Sequence, residues 1–151
     1  MLHLECKPDE VLARKLGRTS KQCRHHNDKG RVCKFLQRDN GSVGMIDEDP
    51  GAIQPRYLAT LSLEVEKHDV RVLRDEKRGH RLVILCPRLE EWLIKTAAES
   101  DLSLAEFGLS TRGNELHREI NSRLSKIEEL LAALLKVRSQ RLLYLQKLIV
   151  R

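Results

Sequence analysis

Three consecutive acids follow a short apolar segment and are the residues best suited to chemistry. Residues 43–46 lead into Asp47, Glu48 and Asp49, and Pro50-Gly51 then indicates a turn. This order predicts a buried strand whose C-terminal tip carries carboxylates. Neighbouring carboxylates repel one another and lose hydration when buried, so a cation should offset them. The usual cation is a hard, oxygen-binding ion such as Mg2+.

A further acid ends the first strand-like segment of the chain. Residues 2–5 alternate weakly and end at Glu5. If this strand and the 43–47 strand are parallel neighbours, Glu5 meets Asp47 and Asp49 at the carboxyl edge of the sheet, where α/β proteins bind ligands. Because side chains alternate along a strand, we expect Asp47 and Asp49 on one side. Such a cluster can hold one or two Mg2+ or Mn2+ ions that polarise a phosphodiester and activate water.

Composition favours a polyanionic partner. The 151 residues include 28 Lys and Arg against 22 Asp and Glu, which gives a net charge of +6. Nucleic acid, DNA or RNA, is the first expectation. The aromatic content of 3% argues against binding that depends on stacked bases. We expect no membrane segment and a cytoplasmic protein with reduced cysteines, because the chain shows neither a long apolar stretch nor the apolar core of a signal peptide.

Hydrophobic patterns predict a mostly parallel α/β sheet flanked by helices over residues 1–102. The expected strands are 2–5, 43–47, 70–73 and 81–86, and the expected helices are 9–16, 30–37 and 87–99. Residues 18–31 are polar and basic, and we expect them to form a loop that leads to the helix at residues 30–37. Residues 57–66 fit a helix or a strand, and we favour a helix because a crossover is needed before a parallel strand.

Residues 103–151 are predicted to form an all-helical extension packed on the α/β domain. Leucine and isoleucine recur there at intervals of three and four, which is typical of an apolar helix face. Two such stripes are present, Leu116, Ile120, Leu124, Ile127, Leu131 and Leu134, then Leu142, Leu145 and Ile149. Packing in the core is the first interpretation, and a homodimer or partner surface formed by these C-terminal helices is the alternative.

The acids and their order resemble the Toprim domain, the module shared by topoisomerases, primases and old-type nucleases. That family has a strand ending in Glu, then Gly-x-x-Asp and a helix, and a later strand ending in Asp-x-Asp. The matching segments here are Leu4-Glu5-Cys6-Lys7-Pro8-Asp9 and Ile46-Asp47-Glu48-Asp49, with Cys6 in place of the first glycine. The resemblance implies that Glu5 is a general acid/base or metal ligand and that Asp47 and Asp49 are metal ligands.

A later segment is similar to small bacterial Toprim-fold proteins related to the old-type nucleases. These carry a Leu-Glu-x-Trp-Leu element after the last strand, which residues 89–93 match. The resemblance implies that Glu90 comes near the acidic edge as a second-metal ligand. A helix with Trp92 in the core and Glu90 facing water is the other interpretation. Some such relatives lie beside ABC-type ATPases in phage-defence systems, so an ATPase partner is implied as well.

Several cations and other polar residues complete the candidates. Lys7 lies next to Glu5, and Lys29 and Arg31 lie at a predicted helix start, so all three could hold phosphate. A solvated basic loop is the alternative for Lys29 and Arg31. Asp9 suits the first turn of its helix, which we favour over a catalytic role. Zinc binding by the ligand set Cys23, His25, His26 and Cys33 is disfavoured, because the spacing lacks paired ligands.

The sequence therefore predicts a Mg2+- or Mn2+-dependent nuclease acting on nucleic-acid phosphodiesters, with a role in phage or mobile-element defence implied by resemblance. Its predicted catalytic residues are Glu5, Asp47 and Asp49, with Glu90 as an added metal ligand. The alternative is a non-catalytic Toprim-like subunit that keeps the fold and docks on an ATPase.

Overall fold

The computed structural model describes residues 1–150, which form a six-stranded sheet and six α-helices. The strands are β1 Leu2–Leu4, β2 Cys23–His25, β3 Val43–Asp47, β4 Ser62–Lys67, β5 Val70–Asp75 and β6 His80–Leu85. The helices are α1 Lys7–Lys15, α2 Lys29–Arg38, α3 Leu89–Glu99, α4 Gly113–Glu119, α5 Leu124–Lys136 and α6 Gln140–Ile149. Short 3-10 helices cover Ser20–Gln22, Arg56–Thr60, Leu104–Phe107 and Ile120–Ser122.

The sheet is mostly parallel and has the strand order β2-β1-β3-β6-β5-β4. The first four strands in this order run parallel. Strand β5 pairs antiparallel with β6, and β4 pairs antiparallel with β5. Strands β1 and β3 are direct neighbours, with Leu2 opposite Val43 and Leu4 opposite Met45. The predicted α/β class and the parallel pairing of these two strands are confirmed.

Two sequence expectations are wrong. Residues 57–66 are not one helix: a 3-10 helix ends at Thr60 and β4 follows. No crossover is needed, because β4, β5 and β6 form an antiparallel meander. His68 and Asp69 make the β4–β5 turn with φ of 56° and 57°, as a tight hairpin requires. The expected basic loop also contains the short strand β2, which pairs with β1.

Two apolar clusters cover the faces of the sheet. On one face, the side chains of Leu4, Met45 and Val83 join a large core formed with α1, α3 and the C-terminal helices. On the other face, Ile46 and Ile84 pack with α2 and the 3-10 helix at residues 56–60. This second cluster is tightly packed at Gly44, where an added Cβ would lie 2.8 Å from a Leu82 methyl and 2.9 Å from a Leu36 methyl.

The C-terminal apolar stripes are buried within the chain except at Leu124, which is only partly buried. The large core contains Leu116, Ile120, Ile127, Leu131, Leu134, Leu142, Leu145 and Ile149. The stripes therefore serve internal packing, which was the first interpretation, and the homodimer through the C-terminal helices stays a prediction. No helix among residues 1–150 has both the length and the apolar character required to cross a bilayer.

Candidate metal centre

Glu5 and Asp47 meet at the carboxyl edge of the parallel strands. The backbone N–H of Asp47 donates to Oε1 of Glu5 over 2.7 Å. The pairing of β1 with β3 makes this contact possible, because Glu5 directly follows Leu4, the partner of Met45. Burial raises the pKa of Glu5, although this hydrogen bond and the charge of Lys29 oppose the increase.

Asp9 also belongs to this group of acids. It lies in the first turn of α1 and is 2% exposed. Its Oδ2 accepts hydrogen bonds from the Cys6 backbone N–H at 3.2 Å and from the Cys6 thiol at 3.1 Å. Burial is the main cause of its raised pKa, with added repulsion from Glu5 and Glu90. Asp9 thus caps its helix, as expected, and also stands within the field of the other carboxylates.

Asp47 connects the edge of the sheet to helix α3. Its Oδ1 accepts the Leu89 backbone N–H over 3.0 Å, at the helix end where the dipole favours an anion. Burial nevertheless raises the pKa of Asp47 strongly, and the charges of Asp9, Glu5 and Glu90 raise it further. Four carboxylates therefore interact electrostatically where burial limits their hydration, namely those of Glu5, Asp9, Asp47 and Glu90.

Glu90, in the first turn of α3, is a further buried acid of this group. It is 4% exposed, so the interpretation in which it faces water is wrong, whereas Trp92 lies in the core as that interpretation expected. Nδ1 of His117 lies 2.8 Å from Glu90 Oε1, within hydrogen-bond distance. Glu90 Oε2 is buried and has no hydrogen-bond partner among residues 1–150. An oxygen of this kind suits a cation as its missing partner.

Asp49 and Glu48 lie outside the buried group. Asp49 is exposed at the rim, where its backbone N–H donates to the Pro87 carbonyl over 2.8 Å. The alternation expected for Asp47 and Asp49 does not extend to Asp49, because β3 ends at Asp47 and Asp49 has a left-handed backbone with φ of 44°. Its charge still raises the pKa of Glu5. Glu48 turns to Arg71, with 3.8 Å between their charged atoms.

The predicted phosphate-binding cations have different surroundings. Lys29 is buried, and its ammonium donates to the Glu48 carbonyl at 2.8 Å and to Gln54 Oε1 at 3.0 Å. It therefore acts as an internal counter-charge to the acids. Lys7 is half-exposed and lies 3.5 Å from Glu10. Arg31 is exposed in a 3.7 Å pair with Asp28.

The alternative zinc ligands lie in separate environments. Cys33 is buried in the apolar cluster beneath α2, whereas His25 pairs with Glu10 at 3.1 Å. His26 lies 2.9 Å from Nδ1 of His3. Nothing in these contacts joins the four residues into one ligand set.

The carboxylates do not yet converge as ligands of one ion. Across residues 1–150, no three Asp, Glu, His or Cys side chains already stand around one point as metal ligands would. Each of these acids still has one carboxylate oxygen that takes no part in the hydrogen bonds described above. These oxygens include Oε2 of Glu5, Oε2 of Glu90 and Oδ2 of Asp47. Binding one cation by three of these acids therefore requires some of their side chains to rotate.

Sequence reasoning set aside one member of this site, Asp9, and missed another, His117. Asp9 had a signal, since it occupies the Asp of the Gly-x-x-Asp pattern in the resemblance. His117 had none, because it follows Glu90 by 27 residues and reaches it only through the packing of α4 on α3. Comparisons with models of protein families, with curated proteins and with solved structures find no match to this chain.

Proposed function

We propose that the protein is a divalent-metal-dependent hydrolase of nucleic-acid phosphodiesters, built as a Toprim-like domain with a helical C-terminal extension at residues 103–151. The observation that carries the proposal is the unpartnered Oε2 of Glu90 near three further acids, the buried Asp9 and the partly buried Glu5 and Asp47. Burying like charges together is unfavourable, and a bound cation converts this repulsion into ligation.

The donor set fits Mg2+ or Mn2+, since both prefer carboxylate oxygens. Glu5, Asp47 and Glu90 would hold the ion, with Asp49 as a further ligand from the rim. When bound, the ion would polarise the phosphodiester of the substrate and activate a water molecule. Glu5 would act as general acid or base where it does not ligate, because its raised pKa brings proton exchange closer to neutral pH.

The cations of the chain would bind the polyanionic substrate. Lys7 flanks the acidic edge and is exposed enough to reach a phosphate, unlike the buried Lys29. Arg31 is exposed in the first turn of α2. The net charge of +6 favours DNA or RNA over small neutral substrates.

A non-catalytic, ATPase-associated subunit is the second candidate. Lys29 favours it, because an internal ammonium already offsets part of the acidic charge, and so does the Glu5 oxygen already bonded to the Asp47 N–H. Phage or mobile-element defence would suit either candidate.

Metal-dependent cleavage separates the two candidates. Purified protein is incubated with plasmid, single-stranded DNA and RNA in Mg2+ or Mn2+, beside the D47N and E48Q variants. We expect cleavage that requires metal, is lost in D47N and persists in E48Q, whose side chain turns away from the site. Equal cleavage by wild type and D47N would refute the proposal. Metal binding without cleavage of any substrate would favour the non-catalytic subunit.

A further inference from the structure

Helix α4 is fastened to the start of α3, beside the acidic edge. The buried side chain of Leu116 anchors α4 in the large core. Gly113 allows a close approach, because a Cβ there would collide with the Glu91 carboxylate. Arg88 also donates to Oδ1 of Asn114 over 3.2 Å. The packing therefore fixes where α4 presents its side chains to α3.

His117 uses this placement to hold one oxygen of Glu90. Its side chain is 59% exposed, so the residue gains little from burial, yet its Nδ1 makes the 2.8 Å contact with Glu90 Oε1. The other oxygen of Glu90 is buried without a partner, and its carboxylate is close enough to raise the pKa values of Asp9 and Asp47. Held in this way, Glu90 keeps one buried oxygen without a partner while its carboxylate lies within electrostatic reach of Asp9 and Asp47.

We propose that His117 is a positioning residue that holds Glu90 in its metal-binding orientation, so that the C-terminal helical segment completes the metal centre. The proposal rests on the metal site proposed above. Without His117, repulsion from Asp9 and Asp47 favours rotation of Glu90 away from the cluster. Binding a cation would then first require the Glu90 side chain to rotate back. Residues that hydrogen-bond metal ligands in this way typically contribute about 10- to 100-fold to metal affinity.

The direct test is calorimetric titration with Mn2+ of the wild type and of H117A, H117N and R118A. H117A removes the hydrogen bond, whereas H117N keeps an N–H donor near the position of Nδ1. R118A is the matched control, because Arg118 is an exposed cation on the same helix whose guanidinium bonds only to the Asn114 carbonyl among residues 1–150. We expect Mn2+ affinity to fall about 10- to 100-fold in H117A. Affinity in H117N and R118A should stay close to that of the wild type.

The outcomes separate this proposal from the proposed function. If the wild type binds no Mn2+, the metal site itself is refuted and the role of His117 falls with it. If the wild type binds and H117A binds equally well, only the role of His117 is overturned. Metal-free melting temperatures report general destabilisation, and if H117A does not fold, H117L gives the same comparison with more of the side-chain volume kept.

Discussion

Replacing Asp47 by Asn should stabilise the metal-free protein at neutral pH. The pKa of Asp47 is raised by burial and by three neighbouring acids, so the folded protein retains a proton that the unfolded chain has released. An acid of this kind contributes its full stability below its unfolded pKa and loses it as pH rises toward the folded pKa. Asn keeps an oxygen for the Leu89 N–H and carries no charge.

The size of the effect follows from proton linkage. While the folded state holds one extra proton, the free energy of unfolding falls by about 1.4 kcal/mol per pH unit. Between pH 5.5 and 7.5 the loss from Asp47 reaches at most about 2.7 kcal/mol, which corresponds to roughly 5–10 °C in melting temperature for a chain of this length. D47N avoids this loss, so the free energy of unfolding of D47N minus that of the wild type should grow by up to that amount between pH 5.5 and 7.5.

The assay is thermal or urea unfolding of both proteins across this pH range in chelator. The difference between them isolates Asp47, because the contributions of His3 and His26, which have the opposite pH dependence, are present in both proteins and cancel. Burial lowers the pKa values of both histidines, so their stability contribution is present above about pH 6.5 and is lost as pH falls below that toward their folded-state pKa values. E48Q is the control and should follow the wild type. A D47N variant that is less stable than the wild type at pH 7.5, or a difference independent of pH, would refute the reasoning.

Two further substitutions test the fold around the site. G44A should lower stability by about 1–3 kcal/mol, because its Cβ would overlap a Leu82 methyl beneath α2; an unchanged urea midpoint would contradict this packing. R141L should lower stability by about 2–3 kcal/mol, because the buried guanidinium donates to Asp69 over 2.8 Å and lies 5.0 Å from the Trp92 ring centre. Mn2+ affinity of R141L should equal that of the wild type, so a large change would mean that this remote cation also supports the site.

The sequence predicts the centre of the sheet better than its edges. β3 and β6 are apolar runs buried on both faces, which is why their residues read clearly as strands. β4 is exposed along all of its length and carries Leu63 and Val65 among charged residues, so its pattern resembles a poor helix equally well. β2 has only three residues and depends on its pairing with β1.

Only the part of the acidic site that lies at the ends of the paired strands can be predicted from the sequence. Glu5 and Asp47 each follow an apolar strand, and parallel pairing alone brings them together. The burial of Glu90 depends on how α3 packs, and the resemblance gave its position near the edge where periodicity did not. His117 depends on a contact between two helices distant in sequence, for which the local pattern contains no signal.

The most direct test of the metal centre is a crystal structure grown with Mn2+ and measured at a wavelength where manganese scatters anomalously. The account predicts an anomalous peak at the carboxyl edge of the sheet, within about 2.5 Å of oxygens from Glu5, Asp47 and Glu90. A structure at saturating Mn2+ with no peak there, and with Glu90 Oε2 still buried and unpartnered, would contradict it.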